Sequence, residues 1–167
     1  MKMLVIGVLA VIAIKYVTRP KLTNDELLYL NGGAMSRVNR GIRNNNPLNI
    51  KEGNNWQGES DTNIDPVFEE FEHPKYGFRA GAKLLRNYEK LYGLNSVRGI
   101  ISKFAPSSEN HTENYITFVA KELGVNSENT LNLWDDDLLA RMLHAMSIME
   151  NGRHYSLSEA KKGVELA

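Results

Sequence analysis

Glu150 is the residue in this sequence best placed to deliver a proton. It falls seven positions after Leu143 and eleven after Leu139, on the face that also carries Met146, and Asn151-Gly152 follows it as a helix stop. Burial against apolar side chains raises the pKa of a carboxyl group, and the negative pole of a helix C-terminus opposes its charge. A carboxylic acid kept protonated near neutral pH is what cleavage of a glycosidic bond requires. The same position also suits an ordinary solvated residue of a last helical turn, and position alone does not separate the two.

A second carboxylate could activate water or stabilise positive charge. Asp61, Asp65, Glu69, Glu70 and Glu72 cluster in one turn-rich stretch, and Asp65 stands for them as a candidate catalytic group. Glu109, in "APSSENHTENY", is a further candidate, although its place before a helix suits a capping network with Asn110 and Thr112. Sugar rings pack on flat aromatic faces, and amides hydrogen-bond hydroxyl and N-acetyl groups. Asn45, Asn46 and Asn49 in "RGIRNNNPLNIK", with Trp56, Tyr76 and Tyr155, supply that mixture as candidate substrate-binding residues. Trp56 also suits the core of a small lobe, and the asparagines suit a self-satisfying turn.

Metal and cofactor chemistry find little footing. His73, His111, His144 and His154 are scattered without ligand spacing, and there is no cysteine to hold zinc or act as a thiol nucleophile. Phosphate-loop, dinucleotide and serine-nucleophile motifs are missing too, so neither a metal nor a cofactor is expected. Twenty basic residues balance twenty acidic ones. That balance argues against nucleic acid as the main partner, because phosphate binding needs a basic face.

The elements that must position these groups follow from periodicity. Residues 41 to about 75 are rich in Asn, Gly, Asp and Pro without a helical period, so turns and short strands are expected. After Gly77 helical spacing takes over. Phe78, Ala82, Leu85 and Tyr92 mark one helix ended by Gly93, and Val97, Ile100, Ile101 and Phe104 a second, stopped by Pro106. A third is capped by Thr112 and ended by Gly124; a fourth opens at Asp135 to Asp137; a last runs from Ser156 or Leu157 to about Glu165. The fold class is mainly α (α+β), helices with a small turn-rich β lobe, an outline that fits the lysozyme class among others.

Residues 1–20 differ from the rest. Met3 to Ile14 is unbroken apolar sequence flanked by Lys2 and Lys15. Counted through Val17, with Lys15 snorkelling, the run just reaches across a thin bilayer. A cleaved signal peptide has an apolar core of this length, but Lys15, Tyr16, Arg19 and Pro20 stand where a cleavage site should lie. An uncleaved transmembrane anchor over residues 3–17 is therefore expected, then a linker with a short helix over 21–39, then one globular domain over 40–167.

Ordered motifs carry a resemblance across residues 40 to 163. "RGIRNNNPLNIK", "WQG" (56–58), "FEEF" (68–71), "GFRAGAKLLRNY" (77–88), "APSSENHTENY" (105–115) and "MENGRHY" (149–155) together resemble a family of phage and prophage virion structural proteins. That family includes proteins of membrane-containing icosahedral phages. A weaker resemblance is to flagellar-type cell-wall glucosaminidases of the lysozyme superfamily, which share the order of "NPLNIK", "WQG" and the segment opening "GFR". In those enzymes the catalytic Glu ends a helix just before the Asn loop, whereas "LNGGAMSRVNRGIR" has no Glu. A circular permutation would resolve the difference if Glu150 met the Asn44 to Asn49 loop in space.

These resemblances imply a membrane-anchored, virion-associated enzyme that cuts the glycan strand of peptidoglycan, with Glu150 as general acid. The attacking group is either water or the sugar's own 6-hydroxyl. The alternative is a catalytically silent module that anchors a capsid protein to a membrane. Expected partners are peptidoglycan, lipid and other virion proteins, and the expected location is a virion membrane or the host's inner membrane facing the periplasm.

Overall fold

The computed structural model describes residues 38–106 and 109–167, without the side chains of Glu109 and Asn110. The expected anchor, and the linker helix but for residues 38 and 39, lie outside the described residues. Among the described residues no helix is long and apolar enough to cross a membrane.

The chain enters through one helical turn, α1 (Arg40–Arg43), whose cap Asn39 accepts a hydrogen bond from the Gly41 amide. This turn was not foreseen, because four residues are too few to show a period. Helix α2 (Pro74–Tyr92) starts three residues before Gly77: His73 caps it, and Pro74 occupies a first-turn position where its missing N–H costs nothing. Gly93 closes α2 in the left-handed conformation. Ser96 caps α3 (Val97–Phe104). Helix α4 (Glu109–Leu123) begins before Thr112, the expected cap; the Thr112 hydroxyl bonds back to the Ala105 carbonyl instead. Asp135 caps α5 (Asp136–Asn151) through the amides of Asp137 and Leu138, and Ser156 and Glu159 form a capping box on α6 (Leu157–Glu165).

Helix α5 is the axis of the core. Leu139, Ala140, Met142, Leu143, Ala145 and Met146 are buried along it, and α1, α2, α4 and α6 pack around it. Phe78 and Leu85 of α2, Ile100 and Ile101 of α3, and Ile116 and Val119 of α4 complete the same core.

Between α1 and α2 the expected β lobe is turn-rich but nearly strandless. Only two isolated antiparallel bridges form among the described residues, Lys51 with Phe68 and Glu59 with Phe71. The physical reason is competition: asparagine and carboxylate side chains take the backbone groups that a ladder would use. Asn46 illustrates it, accepting from the Ile50 amide while donating to the carbonyls of Ile50 and Glu69 at 2.9 Å each.

Candidate functional site

The Asn loop and the end of α5 meet. Asn49 donates its side-chain amide to Glu150 at 2.8 Å, and Asn151 donates to the Pro47 carbonyl at 2.8 Å. Asn49 and Asn45 adopt left-handed backbone, which asparagine tolerates better than most residues, so the loop can turn its amides inward. Gly41 makes the approach possible: a Cβ there would collide with the side chains of both Asn151 and Asn49. The loop and the helix end thus meet across 101 positions of sequence.

Glu150 sits in a largely apolar setting at the close of α5. Burial pushes its pKa above the ordinary carboxylate value, while hydrogen bonds from Asn49 and from Tyr115 of α4 pull the other way without overcoming it. Tyr115 is itself buried, with its hydroxyl also within reach of the Met146 carbonyl at 3.3 Å. Sequence reasoning left Tyr115 in the apolar stripe of α4; the signal available was its hydroxyl, because a buried tyrosine seeks a polar partner.

Glu150 and Asn49 line a cleft of about 600 Å³, within the range of small-ligand sites. Trp56 and Phe68 from the turn-rich lobe, and Tyr88 and Phe104 from α2 and α3, give it aromatic walls. Lys51 and Lys103 bring positive charge, and Glu150 is the only carboxylate in the lining among the described residues. The Lys103 ammonium lies over the Tyr92 ring, 3.9 Å from its centroid.

The other expected site residues are placed elsewhere. Asp65 is fully engaged: Arg40 binds both its oxygens at 2.5 and 2.6 Å, Arg43 and Asn44 add bonds at 3.2 and 2.8 Å, and the Val67 and Phe68 amides donate to it. Its pKa is held well below the carboxylate range, because those donors outweigh a large desolvation cost. Both its oxygens are taken up by protein donors, and Asp65 is not among the residues that line the cleft. Asn45 donates to the Phe71 carbonyl at 2.9 Å and Asn46 is buried under the lobe, so neither amide faces a ligand. The Tyr155 hydroxyl is buried against the Gly41 carbonyl at 3.0 Å, and Tyr76 packs its ring where a Gly58 Cβ would stand. These four side chains hold the fold together and are not part of the cleft lining. The side chain of Glu109 lies outside the described residues. Among the described residues no group of His and acids could hold a metal ion.

No family model matches the chain. A comparison with known proteins finds Protein P5 of Pseudoalteromonas phage PM2, 50% identical over 131 residues that cover 75% of this chain and 80% of the relative. At that identity and coverage, the chain belongs to the family of phage proteins that includes Protein P5.

Proposed function

We propose that the protein is a structural component of a phage particle, its globular domain tethered to lipid by the apolar run of residues 3–17. Kinship with a phage protein across three quarters of the chain carries this reading. The apolar run supports the tether, since Met3 to Val17 contains a single charge, Lys15. Purified particles of the encoding phage, washed in high salt and then extracted with detergent, test it. The protein is expected to stay with the particles through the salt wash and leave with the lipid. Absence from washed particles would refute the reading.

The cleft favours a second reading, in which the particle protein also cuts a glycan strand. One observation motivates it: Glu150 is a carboxyl group whose pKa burial raises, at the wall of a cleft with aromatic and amide surfaces. Glu150 would donate its proton to the glycosidic oxygen as the bond from that oxygen to the anomeric carbon breaks. With no second carboxylate in the described lining, the sugar's own 6-hydroxyl is the nucleophile: its oxygen bonds the anomeric carbon and its proton returns to Glu150. The product is a 1,6-anhydro sugar, as in lytic transglycosylases. Incubating the full-length protein and its Glu150→Gln variant with purified peptidoglycan, with products identified by mass, tests this. Anhydro-muropeptides from the wild type alone support cleavage, and no release by either excludes it.

A further inference from the structure

Glu69 is the one acid whose side chain is wholly buried but has one oxygen without a hydrogen-bond partner among the described residues. Its Oε1 accepts from the backbone amides of Gly53 and Asn54 at 3.1 and 3.4 Å; its Oε2 accepts from nothing described. Two residues further on, the Trp56 amide donates to the Glu59 carboxylate. The segment from Gly53 to Trp56 thus hangs on two acids, and Asn54 and Trp56 are side chains of the cleft lining. The backbone behind Glu69 is fixed independently: its amide donates to Ile50 and its carbonyl accepts from Asn46, both at 2.9 Å.

We propose that Glu69 is the positioning residue of the cleft rim, and that gain or loss of its proton shifts the turn carrying Asn54 and Trp56. The ionised carboxylate is the stronger acceptor and draws the Gly53 and Asn54 amides in. Its second oxygen then bears charge in a buried, unpaired position, which is costly. Protonation removes that cost and loosens the two amide bonds, so the turn has two settings separated by one proton. Among the charged groups near Glu69, Glu59 and Glu52 act on it most strongly, and both favour the protonated form. Burial acts in the same direction and is the larger cause, so the carboxyl is pushed up to about 7. The change of setting therefore falls near neutral pH. This inference concerns the cleft itself and stands whether or not the cleft performs chemistry.

The test uses full-length protein carrying Trp134→Phe, which leaves Trp56 as its single tryptophan. Trp56 emission followed from pH 5 to 9 is expected to show one transition with a midpoint near 7, absent in the same protein with Glu69→Gln. The amide proton shifts of Gly53 and Asn54, followed by NMR without the Trp134 change, are expected to move downfield with the same midpoint as the carboxylate forms. A flat response in both measurements overturns the proposal. So does a transition that persists in Glu69→Gln, which would assign it to another group.

Discussion

Asp65 and Glu150 are both acids withdrawn from water, and their surroundings shift their pKa values in opposite directions. Asp65 lies among two guanidinium groups, an amide and two backbone N–H groups, and stays ionised far into acid. Glu150 has one amide and one phenol for company at the end of a helix, and burial prevails over both. The difference teaches that burial alone does not fix a carboxyl group's state. The number of donors per oxygen decides it. Asp65 fastens α1 to the turn-rich lobe, whereas Glu150 lines the cleft.

Removing a donor-rich acid should hurt most. Asp65→Asn leaves Arg40 and Arg43 without their counter-ion and is expected to cost about 3 kcal/mol of stability, read as a lower midpoint in urea unfolding. The pH dependence has a definite sign. Because the folded pKa of Asp65 is lowered, its contribution is complete above the ordinary carboxylate value and is lost as pH falls from there through the lowered folded one. The wild type should therefore lose stability in acid more steeply than Asp65→Asn does.

Asn46→Ala should come next. It strands the Ile50 amide and the Glu69 carbonyl and takes one of two donors from the Ile50 carbonyl, all paired through one buried side chain. A loss of about 2 kcal/mol is expected in thermal or urea melts.

Glu150→Gln should have the smallest effect on folding, under about 1 kcal/mol at pH 5, since the amide mimics the protonated acid and can still accept from Asn49. Its sign with pH is the reverse of that for Asp65. A raised folded pKa means that the contribution of Glu150 is complete below the ordinary carboxylate value and is lost as pH rises through the folded one. Glu150→Gln should accordingly be more stable than wild type at pH 8, and the gain should fade by pH 5. If the two variants responded to pH with the same sign, the contrast between the acids would be broken.

Much of the helical frame was legible because its signals are local. Gly93, Pro106 and Asp135 punctuate α2, α3 and α5 by backbone conformation or capping, and the apolar stripe of α5 is the core itself. The turn-rich lobe was legible only as such. Nothing in "RNNNPLNIK" tells which amide faces inward; Asn44, Asn45 and Asn46 bind protein groups, and Asn49 alone among the four reaches Glu150. The partners of Asp65 were not legible, because Arg40 and Arg43 lie more than twenty positions away, beyond any periodic signal. Trp56 lines the cleft and also packs against the core, a double placement that its sequence position alone did not show.

The central claim is that this chain resides in the particle as a folded module, and the contrast between its two acids provides the most direct test. Phage propagated with the wild-type, Asp65→Asn or Glu150→Gln protein would be purified, and the protein in salt-washed particles quantified by mass spectrometry. The expected result is a constant copy number in wild-type and Glu150→Gln particles, with depletion in Asp65→Asn, where folding is compromised. Absence of the chain from washed wild-type particles would contradict the account.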